Sequence, residues 1–166
     1  MKIAITDANI LIDVIELGFI DHLFQIELEL HTTLGIVDEL NNEQQDKLQK
    51  YIDDEELTIH FPSEEELHRI KQMEFDRGFS NNDCYLLYIC KENEMILLSG
   101  ERKMRTFCNR ESLEVHGVIW LFDEFIRQSL ISHLIAIEKM EALLARNEWL
   151  PVETCKKRIA TWKRNL

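Results

Sequence analysis

The chain has 166 residues, of which 45% are hydrophobic and 30% charged, and a net charge of −12. That length suits one domain, taken here as residues 1–166, able to bury roughly 70% of the surface its unfolded chain exposes. The composition excludes a disordered polypeptide, and no apolar run approaches the ~18 residues that a membrane span needs. With no charged-then-apolar leader, the chain reads as a cytoplasmic protein without a membrane partner.

Four cysteines (Cys84, Cys90, Cys108, Cys155) form no C-x-x-C pair, and six histidines show no H-x-x-x-H spacing. Reduced thiols are expected, with neither a disulfide framework nor a zinc site. The charge is uneven: residues 1–66 hold 3 basic and 17 acidic side chains, whereas residues 101–166 hold 12 basic and 9 acidic. Phosphate binding needs Lys and Arg. Any nucleic-acid contact is therefore expected from the second half, and the acidic first half faces a basic partner, a metal or water.

In chain order, the Ile-rich run Ile3–Thr6 predicts a buried strand ending at Asp7. Ile10, Leu11, Val14, Ile15 and Leu17 follow with the spacing of one helix face. After Gly18, residues 19–24 suggest a second short helix, and Leu28–Thr33 alternates as a half-buried strand should. Gly35 then turns the chain into a helix expected to continue through the Gln-rich stretch to Lys50, with Glu39 early in it. Leu57–Phe61 is the next strand. Ser63 with Glu66 forms a capping-box signature for a helix ending near Arg77-Gly78.

Another helix starts at 79–83, and Met95–Leu98 is a strand that Ser99-Gly100-Glu101 turns into the basic helix Arg102-Lys103-Met104-Arg105. Leu113–Val115 is the last strand, followed by a helix from Val118 to about Ser129. Two helices finish the chain, one carrying Leu134, Ile137, Met140 and Leu144 on one face, the other Val152, Cys155, Ile159 and Trp162. The alternation predicts an α/β protein with a parallel sheet and helices on both faces.

Four carboxylates sit at strand-to-helix turns or early helix positions: Asp7, Glu39, Asp83 and Glu101. In a parallel sheet these turns share one edge, where ligands bind. Clustered carboxylates repel one another unless protonated or neutralised by cations, and an oxygen-only donor set suits Mg²⁺ or Mn²⁺. Each acid also has a plainer reading. Asp7 can cap its helix, Glu39 can be solvated surface, Ser80-x-x-Asp83 fits a capping box, and Glu101 can pair with Arg105 at i+4.

The blocks Thr6-Asp7-Ala8-Asn9, Val37-Asp38-Glu39-Leu40, Ser80-Asn81-Asn82-Asp83 and Leu97-Leu98-Ser99-Gly100-Glu101-Arg102-Lys103-Met104-Arg105 resemble, in order, the four blocks of a PIN domain. The 18-residue step from Asp83 to Glu101 matches too. The stretch from Val115-His116-Gly117 onward is similar to PIN-like proteins of prokaryotic toxin–antitoxin systems. The resemblance implies a three-layer α/β/α fold with a central parallel sheet of four to five strands and two extra C-terminal helices, about 131–166, on the same domain.

It further implies a metal-dependent endoribonuclease in which Asp7, Glu39, Asp83 and Glu101 hold Mg²⁺ or Mn²⁺. Asn9, Ser80 and Ser99 would orient carboxylates or water, and Arg102, Lys103 and Arg105 would reach the RNA backbone. By analogy, the partners are single-stranded or looped RNA, an antitoxin-like protein offering basic residues, and a second copy in a homodimer. The family usually has Asp where Glu101 stands. One extra methylene moves a carboxylate by on the order of 1.5 Å, and such misplacement can cost about 100-fold in rate. The second reading is therefore a catalytically weakened PIN-like module acting through protein contacts. A third takes Asp7-x-Asn9 as the nucleophile loop of a haloacid-dehalogenase-type phosphatase, which normally needs an acid where Asn9 stands.

Overall fold

A computed structural model describes residues 1–166, as five strands and ten helices. The strands are β1 (Lys2–Thr6), β2 (Leu28–Thr33), β3 (Leu57–His60), β4 (Ile96–Leu98) and β5 (Val115–His116). They form one sheet in the order β3-β2-β1-β4-β5, and every pairing is parallel. The helices are α1 (Ala8–Glu16), α2 (Ile20–Leu23), α3 (Leu34–Glu39), α4 (Asn42–Asp53) and α5 (Glu64–Gln72), then α6 (Asn81–Glu92), α7 (Arg102–Arg110), α8 (Val118–Arg127), α9 (His133–Arg146) and α10 (Val152–Lys163).

This order dictates the layers. The chain steps one way from β1 to β3, then crosses back past β1 to β4 and on to β5. Right-handed crossovers therefore put α1 and α4 on one face, α6 and α7 on the other. Contacts agree: α1 meets α4 and α8, while α6 meets β2, β4 and α5. The reversal lies between β1 and β4, where Thr6 is in register with Leu98. In open α/β sheets the crevice at such a reversal, beyond the carboxyl ends of the strands, is where ligands bind.

The core holds 42 buried residues, from Ala4 on β1 to Trp162 on α10, so the final helix pair shares it with the sheet. Each fully buried Leu or Ile contributes roughly 1.5–3 kcal/mol. No helix is long and apolar enough to cross a membrane. The four cysteines are free thiols, three of them buried.

Several boundaries differ from the sequence reading. The helix after β2 does not run on to Lys50: Leu40 is extended (ψ 148°), and Asn41 opens α4 through a capping box with Gln44. Glu39 is consequently the last residue of a six-residue helix, not an early one. α5 stops at Gln72, where Met73 is extended (ψ 140°), and Ser63 accepts from the Glu66 N–H at 3.1 Å without the reciprocal bond. β5 lies at Val115–His116. On α9 the buried face is Ala136, Ile137, Met140 and Leu143, leaving Leu134 62% exposed. A single-sequence stripe fixes helix phase only to about one residue.

Candidate active site

Asp7 follows the last residue of β1, and its backbone N–H still donates to the Leu98 carbonyl of β4 (3.1 Å). Extended there, it caps α1, with Oδ1 accepting from the Ile10 N–H at 3.0 Å. The residue is only 5% exposed. Its Oδ2 accepts from the hydroxyl of Ser99, itself fully buried at the end of β4. Ser99 Oγ in turn accepts from the Glu101 N–H (3.2 Å), so one hydroxyl fixes Asp7 against the start of α7.

Glu101 occupies the cap position of α7, but its carboxylate makes no capping bond. Instead Oε1 accepts from Asn9 Nδ2 (3.2 Å), and Oε2 lies 3.7 Å from Lys103 Nζ. The i+4 pairing with Arg105 is not formed. Arg105 lies against Gly117 at the start of α8, and Arg102 is exposed.

Asp83 and Ser80 make the full capping box at α6: Ser80 Oγ accepts from the Asp83 N–H (3.1 Å), and Asp83 Oδ2 accepts from the Ser80 N–H (2.9 Å). The same Oδ2 accepts from Lys103 Nζ at 3.2 Å. Lys103 therefore sits between two of the four acids, although the sequence reading placed it on the nucleic-acid side. Glu39 reaches the group indirectly, its Oε1 accepting from Asn82 Nδ2 at 3.3 Å. Asn82 also donates to the Gly35 carbonyl (3.2 Å), and a Cβ on Gly35 would collide with its amide. Asn82 is the positioning residue the sequence reading missed, because nothing local signals a bond 43 residues away.

The structure thus joins Asp7, Asn9, Ser99 and Glu101 in one network, attaches Asp83 and Ser80 through Lys103, and holds Glu39 at the rim by way of Asn82. As the side chains stand, no three acidic, His or Cys groups converge to hold an ion. Burial dominates the electrostatics at Asp7, with like charge a lesser contribution. Burial raises the Asp7 carboxyl from 3.8 to about 7, opposed by the Ser99 and Ile10 hydrogen bonds and reinforced by Glu101 and Asp13. A cation would remove that penalty. The donor set fits a hard divalent ion, since all four acids offer oxygen; the Cys84 thiol lies close enough to feel the Asp83 charge but joins no group of three with the acids. The Lys103 ammonium already stands in as the positive charge between Asp83 and Glu101.

Residues 3–164 match the family described as DUF3368: PIN domain. The chain belongs to the PIN-domain family. No curated protein matches it. The PIN fold is a nuclease-type fold and generally works with a divalent metal ion. In this PIN domain the crevice between β1 and β4 carries Asp7 and Glu101 on its two walls, and Asp83 comes from the crossover helix that reaches β4.

Proposed function

We propose that this PIN domain is a Mg²⁺- or Mn²⁺-dependent endoribonuclease that cleaves single-stranded or looped RNA. The observation that carries the reading is the Asp7–Ser99–Glu101–Asn9 network at the sheet reversal, with Asp83 joined to it through Lys103. Asp7, Asp83, Glu101 and, from the rim, Glu39 would hold the metal. When bound, the metal would supply an activated water and neutralise charge on a phosphodiester; the products expected of this reading are a 3′-hydroxyl and a 5′-phosphate. Ser99 keeps one Asp7 oxygen aimed and Asn9 does the same for Glu101; Ser80 holds the Asp83 carboxylate against α6. The reading takes residues 1–166 as one domain, with Arg102 and Arg105, both on α7, as the phosphate-contacting cations.

Single-stranded RNA is favoured because its bases and backbone can enter an open crevice. An inhibitory protein partner would offer Lys or Arg to the same acids. Incubation of a labelled single-stranded oligoribonucleotide with the protein tests the activity. Cleavage in Mn²⁺, absent in EDTA and reduced at least about 100-fold in Asp7→Asn, is the expected result. Cleavage that survives both would exclude these residues. The second reading, a weakened module acting through protein contacts, is favoured by Glu101 in place of a shorter acid and by the ammonium already between two acids. Mn²⁺ binding without any cleavage would select it.

A further inference from the structure

We propose that Lys103 is the resident counter-cation of this acid cluster, which a divalent ion must displace in order to bind. The inference rests on the reading of the acids as a metal site, and adds to it a built-in competitor that sets the metal affinity.

Lys103 is the second residue of α7. A helix N-terminus carries partial positive charge and favours anions, so an ammonium there is held against the helix dipole. What holds it is visible. Nζ donates to the Gly78 carbonyl at 2.7 Å and to Asp83 Oδ2 at 3.2 Å, lies 3.7 Å from Glu101 Oε2, and stands 5.5 Å over the Phe79 ring. Of the basic side chains in the first turn of α7, Lys103 alone is paired with the site acids; Arg105 is turned toward Gly117.

The contact is also reversible. Lys103 is 44% exposed and has a flexible four-carbon stem, so it can swing to solvent without opening the core. An exposed ion pair of this kind corresponds to roughly a 5-fold equilibrium factor. A doubly charged ion meeting the same two oxygens outcompetes one ammonium, and its apparent affinity is reduced by the fraction of molecules in which Lys103 occupies the place. Lys103 is thus a positioning residue for the cluster in the metal-free protein, and metal entry releases it to solvent.

Calorimetric titration of Mn²⁺ into wild type, Lys103→Met, Lys103→Arg and Arg102→Gln tests this, with thermal melting of each protein in EDTA alongside. Lys103→Met should bind Mn²⁺ about 5-fold more tightly, and Lys103→Arg should remain near wild type. Arg102→Gln removes the same charge from the same turn and should change affinity less. In EDTA, Lys103→Met should melt at a lower temperature than Arg102→Gln, because it leaves Asp83 and Glu101 without a countercharge. Equal or weaker binding by Lys103→Met, or an equal gain in Arg102→Gln, would overturn the role of Lys103 while leaving the metal site standing. Absence of Mn²⁺ binding in all four proteins would overturn the metal-site reading, and the proposal with it.

Discussion

Asp7 carries three duties that pull in different directions. As a cap it needs an acceptor oxygen, as a buried group it needs to be neutral, and as the metal ligand proposed above it would need its charge. Its folded value of about 7 lies above the ordinary 3.8. Between those limits the folded protein keeps a proton that the unfolded chain has released. In metal-free buffer, stability from this residue therefore falls as pH rises from about 4 to about 7, then levels off. A displacement of roughly three units corresponds to on the order of 4 kcal/mol at full ionisation. Asp7→Asn keeps the acceptor for Ile10 and removes the charge. In EDTA it should melt above wild type at pH 8, match it near pH 4, and lose the share of the pH dependence that Asp7 contributes between them. A variant less stable than wild type at pH 8 would show that the carboxylate is not penalised. The positions of the four acids beside turns or helix ends were legible in the sequence. Their mutual bonds were not, since Asn9 and Glu101 lie 92 residues apart and only the folded sheet brings them together.

The short helix α3 shows how local chemistry sets the position of one candidate site residue. Thr33 caps it, accepting from the Ile36 N–H at 3.2 Å, and the chain breaks at Leu40 so that α4 can begin at its own capping box. The signal for that break, Asn41 with Gln44 three residues on, was present in the sequence but masked by the polar run around it. Glu39 is then presented from the last position of α3 and steadied by Asn82 of α6, which needs the bare backbone of Gly35. Gly35→Ala should push α6 away from α3 and destabilise the protein by about 1–3 kcal/mol, read by urea denaturation. A neutral result would mean that the Asn82 amide can simply rotate away. The strands and the other long helices were legible in outline, because apolar period and turn residues agree there.

The sheet, both helix layers and the C-terminal pair close on one core. Trp162 of α10 stacks on Phe122 of α8 with ring centroids 5.8 Å apart, and its Nε1 donates to Asp123 Oδ1 at 3.3 Å, while Arg158 pairs with Asp123 at 2.9 Å. Trp162→Ala should cost about 3–5 kcal/mol and leave a single unfolding transition; two separate transitions would show that the helix pair folds apart from the sheet. The parallel α/β architecture was readable from the alternation of elements. The strand order was not, because no residue pattern records that β4 returns beside β1, yet that reversal puts Asp7 and Glu101 across one crevice. In the proposed function these scattered acids form one cation site. Calorimetric titration of Mn²⁺ into the wild type, Asp7→Asn and Asp83→Asn tests it most directly. Saturable binding to the wild type that is lost in both variants is the predicted result. No binding at millimolar Mn²⁺, or binding that both variants retain, would contradict it.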